Sequence, residues 1–298
     1  MFCFRQRVMK PPSKTVVIVV PLSNRATFTA DEEISLRHLV HYLGGYDMCL
    51  VAPKSLKIEL PGLEIKRFPN NCFGSTQAHN RLVYSANFYE AFSDYKYMLM
   101  HHLDSLVLSD QLMDWCRADL DYIGAPWLNC PDTPLVDVPR VGNGGFALMR
   151  VESILKVINS PRREIDPDEY WAQRYAAQSK LVQYLNLPKK YLKRFRLFNC
   201  ARWQMFRMRH SNWNNDHFWS DQAHKYYPEF KVASLEQGLR FAFEVSPRMC
   251  FEMNGRQLPF GCHAWTKYDR SFWEPYLLKE SSTVATPSTV AAKLGSHA

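Results

Sequence analysis

A chain of 298 residues that is 46% hydrophobic and 22% charged is globular by composition, long enough for one large α/β domain or two small ones, and neither fibrous nor disordered as a whole. Its formal charge of +8 is concentrated: ten Lys and Arg but no Asp or Glu lie between Tyr170 and Asn215, leaving 27 basic against 29 acidic residues elsewhere. No apolar run approaches the length of a membrane span, and eight cysteines without CxxC spacing fit reduced thiols in a cytoplasmic protein and argue against a zinc cluster.

Residues 1–14 read as an N-terminal extension. Arg5, Arg7 and Lys10 precede TVVIVV (15–20) much as charges precede a signal peptide, but the apolar run is too short and no small-residue cleavage pattern follows. TVVIVV itself is β-branched without alternation and stops at Pro21, as a buried parallel strand does. DEEISLRHLVHYL (31–43) has helical apolar spacing behind an acidic first turn and ends at Gly44-Gly45. MCLVA (48–52) is a second strand. Residues 75–92 are expected to form one helix capped by Ser75, and YMLM (97–100) a third strand. This alternation predicts an α/β fold, a doubly wound and mostly parallel central sheet flanked by helices. Further on, DQLMDWCR (110–117) is a short helix, DYIGAPW (121–127) a strand running into a loop, and RVGNGGFALMR (140–150) a glycine-rich turn entering a strand before a helix over 151–158. Pro and Gly occur singly, so residues 15–278 are read as one domain with a basic helical insertion at about 160–212, and 279–298, small and polar, as a flexible tail.

In a doubly wound sheet, ligands bind beyond the carboxyl ends of the strands. HHLD (101–104) stands at such an end, where a carboxylate needs a partner: a structural hydrogen bond or a metal ion. Three further pieces carry chemistry in combination. GNGG (142–145) exposes backbone to close approach, NND (214–216) places Asp216 beside Trp213, Phe218 and Trp219, and GCHAW (261–265) offers His263. Each has a structural reading as well: a turn cap for Asp104, a helix cap for Asp216, a packed histidine for His263, and core packing for His101, Trp127 and Trp219.

Together these pieces resemble glycosyltransferases of the GT-A type. More narrowly, LDSLVLSDQLMDWC (103–116), DYIGAPW, VGNGGFALMR (141–150), NNDHFWS (214–220), FAFE (241–244) and PFGCHAW (259–265) resemble a bacterial and fungal family catalogued as a domain of unknown function with a predicted GT-A fold, over roughly Thr15 to Leu278. The resemblance implies transfer of a sugar from a nucleotide donor, a UDP-sugar by expectation, to an acceptor hydroxyl of a glycan, lipid-linked or small-molecule acceptor, with Mn²⁺ or Mg²⁺. His102 stands where the metal motif usually has its first aspartate, so Asp104 inherits the metal role with His263, and His102 supports it. Pro21, Leu22, Asn24 and Arg25 would meet the nucleotide. Gly144, Gly145, Trp127 and Trp219 would line the acceptor and sugar side. The usual Glu-Asp pair is Asn215-Asp216 here, which leaves Asp216 as the base of an inverting reaction.

Two other readings remain: a metal-dependent nucleotidyltransferase, and a non-catalytic nucleotide- or nucleic-acid-binding protein. The basic segment 189–210 interleaves cations with aromatics and could meet an anionic membrane, cover phosphates as a lid, or bind nucleic acid. The last is disfavoured because no nucleic-acid motif accompanies it. A peripheral membrane location is the matching expectation for a cytoplasmic protein.

Overall fold

The computed structural model describes residues 12–60, 63–209 and 216–279. Its elements run β1 (Lys14–Pro21), α1 (Ala30–Leu43), β2 (Met48–Pro53), β3 (Glu64–Phe68), α2 (Thr76–Val83), α3 (Ala86–Glu90), β4 (Tyr95–His101), β5 (Leu106–Val107), α4 (Leu112–Arg117), β6 (Tyr122–Gly124), β7 (Pro126–Trp127), β8 (Arg140–Val141) and β9 (Phe146–Arg150). They continue as α5 (Val151–Ile158), α6 (Pro167–Tyr175), α7 (Lys180–Arg194), α8 (Ala201–Arg209), α9 (Asp216–Asp221), α10 (Ala223–Tyr226), α11 (Leu235–Phe241), β10 (Ala242–Phe243), α12 (Pro247–Met253), β11 (Gly261–Cys262) and α13 (Arg270–Trp273).

Six strands form the central sheet in the order β3-β2-β1-β4-β9-β6. The first four are mutually parallel, and β9 runs antiparallel to both β4 and β6, which is the expected doubly wound, mostly parallel α/β sheet. β1 shows why the run TVVIVV does not alternate. Val17 and Val19 enter the core on one face with α2, α3, α5 and α8, while Val16, Ile18 and Val20 enter the other with α1 and α4, so every position from Val16 to Val20 is buried. A small sheet in the order β10-β11-β5 lies against a third cluster built on Trp265, Phe272 and Trp273.

The start of α1 is fixed by a capping box: the Thr29 hydroxyl accepts from Glu32 N–H, and the Glu32 carboxylate accepts from Thr29 N–H. The helix expected over 75–92 keeps its Ser75 cap but is broken at Tyr84-Ser85. The Tyr89 hydroxyl donates to the Val83 carbonyl at 3.0 Å and gives that terminal carbonyl the partner a continuous helix would have supplied. The edge strand β3 was not foreseen, because EIKRF has charges at both positions of its pleat. None of the seven cysteines described is in a disulfide, and no helix among the described residues is long and apolar enough to cross a membrane.

Two buried histidines hold the fold as neutral rings. His38 on α1 donates from Nδ1 to the Val107 carbonyl at 2.9 Å and accepts the Leu278 N–H on Nε2 at 3.0 Å, which pins β5 and the segment after α13 to one helix. His101, at the end of β4, is fully buried against Phe146 with neither ring nitrogen hydrogen-bonded, and that desolvation pushes its pKa down to about 4. Above pH 6.5 the ring is neutral folded or unfolded; below it the unfolded chain takes up a proton that the folded chain refuses, so stability falls as pH drops from 6.5 towards 4. At ~1.4 kcal/mol per pKa unit, His101 should account for a loss on the order of 3 kcal/mol. Chemical denaturation of the protein and of His101→Phe across that range checks this, and equal slopes for the two would rule it out.

Candidate active site

The ends of β4, β10 and β11 and the start of β5 deliver the site. β4 and β1 are parallel with Val19 opposite Met100, so Pro21 and His102 leave the central sheet on the same edge. β5 pairs antiparallel with β11, Leu106 opposite Cys262, which brings the residues on either side of that pair, Asp104 and His263, together. β11 pairs parallel with β10, Cys262 opposite Phe243, which sets Glu244 next to His263. Backbone bonds lock the arrangement: His263 N–H donates to the Phe243 carbonyl at 3.0 Å and Trp265 N–H to the Asp104 carbonyl at 3.2 Å. Between them Ala264 adopts the left-handed conformation (φ 50°), a cost an L-residue bears where the surrounding bonds fix the turn.

The result is a cluster of His102, Asp104 and His263, each with one candidate ligand atom, all within 4.8 Å of one another. His263 lies between two carboxylates. Its Nδ1 is 3.0 Å from Glu244 Oε1, and its Nε2 is 3.3 Å from Asp104 Oδ1. Burial works to lower its pKa, but the two acids outweigh it and hold the ring as an imidazolium, raised to about 10. Asp104 is driven the other way. Burial of the carboxyl opposes ionisation, yet the charge and hydrogen bond of His263 keep it well below the usual carboxylate range. The Asp104 side chain is 50% exposed, so solvent and small ions reach the cluster.

His102 is flanked by His79 of α2, Nε2 to Nε2 at 3.3 Å with the rings edge-on. Such a pair shares one N–H, and both rings stay neutral: desolvation first, then neighbouring positive charge, lowers His79 to about 4 and His102 well below its ordinary value. The glycine loop closes the cluster from behind. Gly145 accepts His102 N–H on its carbonyl at 2.9 Å, and its N–H is held by the Asn143 side chain at 2.9 Å. A Cβ on Gly145 would fall 2.1 Å from His263 Nε2, so only glycine lets the imidazole sit where it does.

The other expected site residues fall as follows. Asn24 and Arg25 are exposed beyond β1, Arg25 in an ion pair with Glu32 at 2.7 Å, whereas Leu22 is buried and Pro21 closes the strand. Gly144 is half-buried in the glycine loop. Asp216 opens α9, but its side chain, like all of Trp213, lies outside the described residues. Trp219 and Trp127 correct the sequence reading. Trp219 packs among Tyr84, Tyr89 and Phe218, and Trp127 lies beneath the Arg140 guanidinium and against Gly142, so both indoles are buried and neither offers an open ring to a sugar.

Several residues were not foreseen. Glu244 carried a signal, a lone carboxylate in the apolar run AFEV, where an acid needs a partner. His79 carried none, since nothing in STQAHNRLV separates it from a surface helix residue. His217 and Asp221 form a pair one turn apart at 3.0 Å, bonded to Arg140, and line a cavity of about 350 Å³ with Glu164, Gln204, Arg207 and Met208.

A family profile described as "Protein of unknown function (DUF5672)" matches residues 62–263, from the start of β3 to His263. The chain belongs to this family. The matched range holds the whole His102, Asp104 and His263 cluster with Glu244 and His79, and leaves β1 and the loop after it outside. No curated protein matches the sequence. Among solved structures, the chain is similar to the apo-form glycosyltransferase GlyE of Streptococcus pneumoniae TIGR4 (12% identity, TM-score 0.41), over 95% of this chain and 63% of that one. It is also similar to a glycosyltransferase involved in glycosylation of the major capsid of PBCV-1 (11% identity, TM-score 0.41; 88% and 98% of the two chains) and to the catalytic domain of Drosophila beta1,4galactosyltransferase 7 (16%, TM-score 0.25; 48% and 52%). The chain thus spans less than two thirds of the pneumococcal enzyme's length.

After Asp104, Glu244 is the second acid that holds the charge of His263, and its part should be separable from the fold. In Glu244→Gln one of the two acids holding the imidazolium is lost, so the His263 pKa should fall from about 10 by a unit or more while the folded spectrum is kept. An NMR titration of the imidazole nitrogens reads this directly; an unmoved pKa would leave Asp104 as the sole cause.

Proposed function

We propose that this chain is a metal-dependent glycosyltransferase of GT-A type that transfers a sugar from a nucleotide donor, by preference a UDP-sugar, to an acceptor hydroxyl. The observation that supports it most is the convergence of His102, Asp104 and His263 at the carboxyl edge of a mostly parallel sheet, where such sheets bind ligands. The donor set fits a divalent cation. Asp104 and His263 offer Oδ1 and Nε2, His102 is neutral as a ligand must be, and Glu244 on Nδ1 orients the His263 ring. Two imidazoles beside one carboxylate favour Mn²⁺ over Mg²⁺, which prefers an all-oxygen shell.

Such an ion, once bound, supplies Lewis-acid stabilisation of the charge that grows on the departing diphosphate. The chain's own residues supply the rest. Asn24 and Arg25, exposed on the same sheet edge, are assigned to the nucleotide. Gly144, half-buried in the glycine loop, is assigned to the acceptor and sugar side, while Gly145 makes room for His263. The acceptor is assigned to the cavity beside α9, and Asp216, which opens that helix, takes the proton of the acceptor hydroxyl as its oxygen attacks the anomeric carbon. The carbon–oxygen bond to the diphosphate breaks as the new one forms, with inversion.

The test is UDP release from a panel of UDP-sugars with Mn²⁺, Mg²⁺ or chelator. Release should require metal, be faster with Mn²⁺, and fall about a hundredfold or more in Asp104→Ala. Gly145→Ala, which drives a Cβ into His263, should weaken Mn²⁺ binding by calorimetry in the same direction. Pyrophosphate in place of UDP as product would identify a nucleotidyltransferase instead. Unaltered release in Asp104→Ala would overturn the metal site.

A further inference from the structure

The segment between α5 and α9 carries a helix with an uncovered apolar stripe. On α7 the residues of that stripe are Leu181, Tyr184, Leu185, Pro188 and Leu192, continued by Phe195 at its C-terminal cap and flanked by exposed Lys180, Lys189, Tyr191 and Arg194. Their spacing of three or four residues makes a single stripe along 15 residues of helix. The stripe is wide open: Leu181, Tyr184, Leu185 and Phe195 are 68%, 72%, 66% and 62% exposed. The face turned to the protein is mixed, Val182 and Leu187 beside Gln183, Asn186, Lys190 and Lys193, and it is held by ion pairs. Lys190 pairs with Asp168 at 2.8 Å, and Lys193 is buried against Glu164 at 2.9 Å. A monomeric soluble protein rarely leaves a continuous apolar stripe uncovered, so a partner for it is implied.

Charge selects the partner. From Ser160 to Arg209 there are twelve basic residues against four acidic ones, so the net charge of this insertion equals that of the whole chain. A second copy of the same face would set like charge against like charge. A nucleic acid would meet a stripe that is mostly aliphatic, Leu181, Leu185, Pro188 and Leu192, with rings for a base to stack on only at Tyr184 and Phe195. An anionic bilayer meets both needs, with acyl chains for the stripe and headgroups for the flanking Lys180, Lys189 and Arg194.

We propose that α7 is an interfacial membrane helix that docks the protein on anionic lipid through Leu181, Tyr184, Leu185, Leu192 and Phe195. This moves the contact from the segment expected from sequence, 189–210. α8 buries Ala201 and Met205 in the main core, and its Arg209 donates to the Tyr84 carbonyl, so it is the inner wall of the insertion and α7 the outer one.

Co-sedimentation of the full chain with vesicles of phosphatidylcholine, alone or with added phosphatidylserine, tests this. The protein should bind the anionic vesicles at least tenfold more tightly, with affinity falling as salt rises. The triple variant Leu181→Ser, Leu185→Ser, Leu192→Ser should lose binding at least tenfold, and so should Lys180→Gln with Lys189→Gln and Arg194→Gln. These residues lie on the outer surface, so both variants should keep the parent's melting temperature and its UDP release in solution. Equal binding to neutral and anionic vesicles, or none to either, would overturn the proposal. Self-association abolished by the leucine variant would assign the stripe to a second copy, retention of single-stranded DNA without lipid binding to nucleic acid, and loss of UDP release in solution to a lid.

Discussion

The site depends on one interaction, the His263 imidazole held between Asp104 and Glu244. Neither acid is near His263 in sequence, and the imidazolium between them holds the Asp104 carboxyl well below the usual carboxylate range. What brings them together is backbone register, since β11 pairs antiparallel with β5 on one side and parallel with β10 on the other. A slip of one residue in either pairing would turn a carboxylate to the opposite face of the small sheet. The three aromatics of the cluster beneath it, Trp265, Phe272 and Trp273, make that slip expensive, so apolar packing on one face of the sheet fixes electrostatics at its end.

The same triad explains the chemistry of the neighbours. An imidazolium at His263 repels a proton on His102 or His79, which adds to their desolvation and keeps both rings neutral with a lone pair available. In the proposed reading Asp104 Oδ1 and His263 Nε2 would hold a divalent ion, and Glu244 on Nδ1 would keep the ring in place. The site is organised around the positive charge on His263. Gly145 is part of this logic, because it is the point where the glycine loop and the imidazole contend for the same space.

The fold was legible where physics is local. TVVIVV, the Ser75 cap, the Gly44 stop and the acidic first turn of α1 are each decided by a few adjacent residues, and the structure has them. Asp104, His102 and His263 were legible as candidates because each interrupts an apolar run. Glu244 does so too, but its partner lies 19 residues away across a two-residue strand pairing that no pattern in the sequence marks. Trp219 had two readings, a core aromatic by default and a sugar-side ring by resemblance, and α9 turns it inward between Tyr84 and Tyr89, because a helix sends neighbouring residues to different faces.

The insertion joins the two surfaces that matter. Glu164 takes Lys193 of α7 and Arg207 of α8 at once, and it also lines the cavity beside α9. A half-buried acid with two cationic partners is costly to break, since losing one leaves charge poorly compensated. The outer helix is therefore fastened to the cavity wall through Lys193, and that orientation leaves Leu181, Leu185 and Leu192 facing outward. Packing of this kind exchanges intramolecular apolar burial for a surface that only an external apolar phase can cover, and it sets that phase one helix away from the cavity assigned to the acceptor.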